Sequence, residues 1–158
     1  MSDSAIHIFD GQIDLPIGLE EAWAFFATPL NLAKMTPPSL ALKLDSDHQF
    51  LQHMYSGQFV VYSVSLFLGL PTTWATEITH IKPLSYFVDE QRVGPFSLWH
   101  HEHHFQEIPG GTRVRDIVHY KVPFGVVGDV LLGWLVKRQV YDLFAYRRDV
   151  LNRRFGKM

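Results

Sequence analysis

Four of the nine histidines in this 158-residue chain fall within five positions, in the stretch Trp99-His100-His101-Glu102-His103-His104-Phe105. Imidazole titrates near neutral pH, so such a cluster offers three chemistries: proton transfer, metal ligation, or orientation of a ligand carbonyl or hydroxyl. On a strand, His101-x-His103 places two rings on one face about 6–7 Å apart, and one carboxylate would complete the three protein ligands of a catalytic zinc site. A carboxylate beside a histidine would instead fix its tautomer and raise its basicity, the arrangement of an acid/base pair. Asp89 and Asp116 are the acidic candidates, and which chemistry applies depends on which faces these side chains share.

The elements that position them follow from periodicity. Residues 5–15 alternate as a strand that Pro16-Ile17-Gly18 breaks, and Leu19, Ala22, Trp23 and Phe26 lie on one face of a helix that ends before Pro29. A second helical piece runs from Leu30 to Met35 and stops at Pro37-Pro38. Period-two segments then predict strands at 40–46, 57–67, 73–81, 85–93, 97–107 and 112–122, punctuated by Gly69/Pro71, Pro83, Gly94-Pro95 and Pro109-Gly110-Gly111. Residues 126–154 form one long helix. Strand, two short helices, six strands and a long helix make an α+β layer arrangement with an antiparallel sheet.

That order, with several local motifs, resembles the START-like, or SRPBCC, superfamily of helix-grip proteins, which includes Bet v 1 and the bacterial polyketide cyclase/dehydrase proteins. The likeness is carried by Ile13-Asp14-Leu15-Pro16, by Glu21-Ala22-Trp23-Ala24-Phe25-Phe26, and by Gly94-Pro95-Phe96 with Trp99, His101, His103 and Phe105. Gly110-Gly111-Thr112 with Asp116, and Pro123-Phe124-Gly125, complete it. The resemblance implies a curved seven-stranded antiparallel sheet around the C-terminal helix, two short helices after the first strand, and an internal cavity. The family hosts carriers, sensors and cyclases alike, so it implies the fold more sharply than the activity.

Short loops set the register. A tight hairpin with an even loop at Pro109-Gly110-Gly111-Thr112 puts Phe105 opposite Asp116, His103 opposite Val118, His101 opposite Tyr120 and Trp99 opposite Val122. A three-residue turn at Gly94-Pro95-Phe96 sets Gln91 against Trp99, Asp89 against His101 and Phe87 against His103, and the same parity brings in Trp74, Thr76 and Ile78. The cluster is then two pairs. His100 and His104 look out with Glu102, with His119 opposite Glu102, as a solvated strand surface. His101 and His103 look in.

Buried groups such as Asp89, Gln91, His101, His103 and Asp116 cost roughly 1–3 kcal/mol each without partners. They must therefore pair with one another, as Asp89 with His101 and Asp116 with His103, with water, or with a ligand. The expected ligand-lining set is Trp74, Asp89, Gln91, Trp99, His101, His103, Asp116 and Tyr120. Its catalytic counterpart, a cyclase or dehydratase reaction, would use His101, His103 or Asp116. No metal and no cofactor is expected, because His-x-His alone is a short pattern and the family it resembles does not generally need one.

Composition bounds the rest. A hydrophobic share of 47%, with 14% aromatic and 19% charged, provides more rings than simple packing requires, which is the signature of a pocket. A net charge of −2 gives no basis for neutralising nucleic-acid phosphates. The absence of cysteine removes disulfide and thiolate chemistry. No signal peptide, nucleophile elbow, P-loop or dinucleotide fingerprint is legible, and no apolar run nears the roughly 20 residues of a membrane span. The expectation is one cytoplasmic START-like domain over residues 1–158, a monomer or weak homodimer, whose partner is a small hydrophobic molecule (lipid, polyketide or isoprenoid-like). Residues 126–136 are apolar almost all round and are expected inside the sheet's grip, the alternative being that part of this surface forms the pocket wall and mouth or docks on a partner, whereas Arg147, Arg148, Arg153, Arg154 and Lys157 are expected on a solvated helix end.

Overall fold

The computed structural model describes residues 5–45, 53–66 and 69–158. Strand β1 (His7–Leu15) leads into α1 (Leu19–Phe26), two 3₁₀ segments (Pro29–Met35 and Pro38–Leu40) and the short β2 (Lys43–Leu44). A meander follows through β3 (Gln58–Val64), β4 (Thr72–Lys82), β5 (Tyr86–Val93), β6 (Leu98–Ile108) and β7 (Gly111–Lys121), and α2 (Gly125–Phe155) ends the chain. The sheet has seven strands in the order β1-β7-β6-β5-β4-β3-β2, so the first strand pairs with the last. The strand expected at 40–46 shrinks to two residues, because the prolines at 37 and 38 open a 3₁₀ turn and Ala41 adopts a left-handed conformation (φ 45°). The far ends expected for that strand and the next, at residues 46 and 67, lie outside the described residues.

The β6–β7 hairpin closes with Pro109 and Gly110 alone, Ile108 pairing with Gly111. Gly110 has φ 85°, open to glycine at little cost, and so permits the tight turn. The pairing therefore slides by two from expectation: Trp99 opposes Tyr120, His101 opposes Val118, His103 opposes Asp116 and Phe105 opposes Val114. An even slide leaves every side chain on its expected face. Between β5 and β6 the expected pairs Asp89–His101 and Phe87–His103 are present. Register shifts in β4 between Ala75 and Thr76 and between Ile78 and His80 change its parity, so Ile81 joins Phe87 on the inner face after Trp74, Thr76 and Ile78.

α2 lies across the concave face, and its buried stripe runs Gly128, Gly133, Val136, Val140, Phe144, Arg147, Leu151. Two of the three apolar cores among the described residues include this stripe, the third being Val60 and Tyr62 on β3. One gathers Phe9, Phe96, Trp99, Val118, Tyr120, Val122, Val136, Val140 and Phe144. The other gathers Leu15, Ala22, Phe25, Phe26, Met35, Phe87, Phe105, Val114 and Leu151. The expectation that residues 126–136 are gripped all round is corrected: Val127, Val130, Leu131 and Trp134 are each about two-thirds exposed or more, at 67%, 75%, 65% and 67%. The sheet covers one stripe of a helix, and here that stripe holds the glycines. Gly128 lies so close to the Pro123 carbonyl that an added Cβ would fall 1.8 Å from its oxygen. A hydrogen bond of 2.6 Å between His7 Nε2 and Asp129 Oδ1 fastens this end of α2 to β1.

Candidate functional site

Three elements switch from apolar to polar and back at the same level of the fold. β6 reads Trp99, His101, His103, Phe105; β7 reads Val118, Asp116, Val114; and α2 reads Phe144, Arg147, Leu151, the outer members of each belonging to the two cores. β1 contributes Gly11 opposite Asp116, where a Cβ would strike the Phe9 ring at 2.7 Å. β5 and β4 supply Asp89 and Thr76. A polar belt thus crosses the interior between the cores.

Within the belt the bonds run diagonally rather than straight across the ladder. His101 Nε2 lies 2.9 Å from Asp116 Oδ1, and His103 Nε2 lies 3.0 Å from Asp89 Oδ2. A carboxylate only accepts, so the nitrogen facing each is the protonated one and the histidines are the donors. Thr76 donates its hydroxyl to Asp89 Oδ1 at 3.1 Å. His101 Nδ1 stands 3.6 Å from Asp89 Oδ2, and His103 Nδ1 is 3.0 Å from Asp116 Oδ1, close enough for attraction but misaligned for a hydrogen bond. The expected partners are thereby exchanged. The imidazoles lie against each other with centroids 3.7 Å apart and planes tilted by 35°, and His103 stacks on Phe87 at 4.1 Å.

These contacts fix the charges. Burial works against both charged forms, yet the His101 and His103 partners hold the Asp116 carboxyl far below the usual carboxylate range, and His103, His101 and Thr76 do the same for Asp89. Burial, and then the charge of His103, keep His101 below its ordinary value, whereas burial of His103 is outweighed by Asp116 and Asp89, which raise it. The belt thus favours a proton on His103 over one on His101, beside two carboxyls whose ionised forms are favoured.

Arg147 is the member that sequence reasoning misplaced. It is only 5% exposed, not on a solvated helix end. Its guanidinium lies over the Phe144 ring at 4.8 Å, and among the described residues neither Nε nor Nη1 has a hydrogen-bond partner. Burial pulls its basicity down while Asp116, Asp89 and Tyr62 support it. The signal was present in the pattern, because Val136, Val140, Phe144, Arg147 and Leu151 repeat at three- and four-residue spacing.

Beside the belt is a partly enclosed cavity of about 120 Å³. Phe26, Leu32, Met35, Val60, Tyr62, Trp74, Phe87 and Trp99 form most of its wall, and Thr76, Asp89, His101, His103 and Arg147 supply the polar groups. Of the expected lining residues, Trp74, Asp89, Trp99, His101 and His103 border it. Asp116 sits behind the histidines and borders a second, smaller recess with Phe9, Gly11 and Arg147. Gln91 and Tyr120 do not border the cavity. Gln91 braces the β5–β6 turn, donating Nε2–H to the Phe96 carbonyl at 2.6 Å and accepting the Phe96 N–H at 3.2 Å, while Tyr120 stacks under His7 in the first core.

The outward histidines make surface pairs. His100 Nδ1 is 2.9 Å from Glu90 Oε1 and His104 Nε2 is 2.8 Å from Glu102 Oε2. His119 stands opposite His100, not Glu102, by the same two-residue slide. Asp89, His101 and His103 can each direct one atom to a point within 4.8 Å of the others, as a cation would need. Three of the four ring nitrogens already face carboxylates within 3.0 Å, so a cation would have to displace the existing pairs.

The family model for polyketide cyclase/dehydrase and lipid transport matches residues 15–146. The chain belongs to that family. The chain has the Bet v 1-like helix-grip fold, a curved seven-stranded sheet around a long C-terminal helix. A crystal structure of a protein from Chromobacterium violaceum is similar with a TM-score of 0.71 at 14% identity, over 96% of this chain and 99% of that one. A solution structure from Arthrobacter aurescens gives 0.69 at 12%, over 96% and 93%, and the crystal structure of Ara h 8.0201 gives 0.57 at 13%, over 93% and 98%. No protein among the curated sequences matches this family member significantly. No helix among the described residues is long and apolar enough to cross a membrane.

Proposed function

We propose that this protein binds a small hydrophobic molecule in the cavity between the sheet and α2. The observation that carries this reading is the composition of the cavity wall: aromatic and aliphatic side chains surround one edge of polar groups, the usual make-up of a small-molecule site. Trp74, Phe87 and Trp99 would cover the apolar body of the ligand, and Thr76, Asp89, His101 and His103 would meet its polar end. The volume limits its size. A dry cavity of about 150 Å³ holds one benzene, so 120 Å³ suits a single ring or a short chain. A lipid, polyketide or isoprenoid would need the segment from Thr28 to Leu42, which forms one wall, to move outward.

Proton transfer by His101 or His103 is the weaker reading, because their protonated nitrogens are directed at carboxylates and both rings are packed among aromatic neighbours. The test is native mass spectrometry of the purified protein before and after mild organic extraction, with metal analysis of the same sample. A co-purified organic mass that extraction removes supports binding. Stoichiometric zinc with no organic mass overturns it in favour of a metal site, and no shift in melting temperature across a panel of single-ring and short-chain compounds leaves the belt as bracing alone.

A further inference from the structure

Of the five side chains by which the belt borders the cavity, Thr76, Asp89, His101 and His103 each make at least one hydrogen bond within the belt, His103 Nδ1 alone among their buried atoms lacking one among the described residues. Asp89 accepts from Thr76 and His103, while His101 and His103 donate to Asp116 and Asp89. Arg147 does not. Buried polar groups in folded proteins nearly always find a partner, and a guanidinium has only donors to offer. What it lacks is an acceptor, and it borders both the main cavity and the recess behind it. The neighbouring carboxylates favour its charge but do not hydrogen-bond its Nε or Nη1: Asp89 accepts from Thr76 and His103, and Asp116 Oδ1 accepts from His101. Planar guanidinium donors match carboxylate and phosphate oxygens better than any neutral group.

Resting on the binding reading above, we infer that the ligand carries an oxyanion head, a carboxylate or a phosphate ester, that pairs with Arg147, joined to an apolar body no larger than one ring or a short chain. The body lies against Trp74, Phe87 and Trp99, where the cavity is apolar, and the head sits at the belt, where the donors are. Water is the alternative occupant. It would satisfy the guanidinium without giving an acid any advantage over an alcohol.

The test measures affinity calorimetrically for four probes of similar body: phenylacetate, phenyl phosphate, benzyl alcohol and toluene. The expected result is that one of the two anions binds at least about tenfold more tightly than benzyl alcohol, the scale of a charge-assisted hydrogen bond. Which anion leads separates a carboxylic acid from a phosphate ester. In Arg147→Met that preference should fall below about twofold while toluene still binds, and Arg147→Lys should retain part of it. Equal affinity for anions and alcohol in the wild-type protein overturns the inference and leaves the binding reading intact; the same holds if the preference survives in a folded Arg147→Met. If none of the four probes binds, the binding reading and this one fall together. Should Arg147→Met not fold, the wild-type comparison still decides.

Discussion

Asp116 serves both imidazoles, so its loss reaches further than one bond. Asp116→Ala should destabilise the protein by about 3–5 kcal/mol, the range for breaking a buried charged pair, measured by urea unfolding. Asp116→Asn should cost less, because the amide oxygen still accepts from His101. The same belt sets a pH optimum. His101 is depressed, so the folded state resists its protonation and stability falls as pH drops below the unfolded value near 6.5. Asp89 and Asp116 are depressed, so their contributions are present above the unfolded carboxylate range and are lost as pH falls through their folded values. His103 is raised, so its contribution is full below about 6.5 and is lost as pH climbs through its folded value. Stability measured by urea unfolding across pH should therefore peak near neutrality, and His103→Gln should flatten the alkaline side. At this scale alternation alone assigned Asp89, His101, His103 and Asp116 to one face, because strand parity is insensitive to an even slip. Which carboxylate serves which histidine was not legible, because diagonal reach depends on rotamers.

At the scale of elements, α2 carries contrasting faces. Leu151, 1% exposed in the second core, should cost about 2–5 kcal/mol as Leu151→Ala, whereas Trp134→Gln on the open face should change stability by no more than about 0.5 kcal/mol. Thermal and urea unfolding of the two variants measure the contrast. Hydropathy alone ranks them the other way, since the first half of α2 is its most apolar part. Burial follows the glycines instead, because close approach to the Pro123 carbonyl needs a residue without a side chain at Gly128. The hairpin glycines are similar. A Cβ at Gly111 would sit 2.0 Å from the Leu15 carbonyl oxygen, so Gly111→Ala must separate the β1 and β7 ends, and hydrogen exchange of Leu15 and Thr112 should rise locally.

For the whole molecule, the cavity is where packing stops short. Close-packed interiors leave few voids larger than a water molecule, so 120 Å³ flanked by two complete cores is a feature of the architecture. Leu143 projects from α2 to its wall, and Leu143→Trp should fill it, abolishing small-molecule binding in calorimetry while the melting temperature holds or rises. A drop in stability with binding retained would mean the cavity is not where the ligand sits. The exposed stripe from Val127 to Trp134 belongs to this scale too, because the sheet curves around one side of α2 and leaves the other open.

The period-two runs, the proline and glycine punctuation and the terminal helix were enough to determine the element order, the sheet and the inner face of β5, β6 and β7. These are local consequences of side-chain alternation and turn chemistry, and each is written into a few consecutive residues. The register of β6 against β7, the exchanged histidine partners, the place of Arg147 and the size of the cavity were decided only in three dimensions. Each depends on the distance between residues far apart in the chain: helical spacing puts Arg147 on the buried stripe of α2, but only the crossing of the sheet where β6 and β7 turn polar sets it beside Asp116 and the cavity.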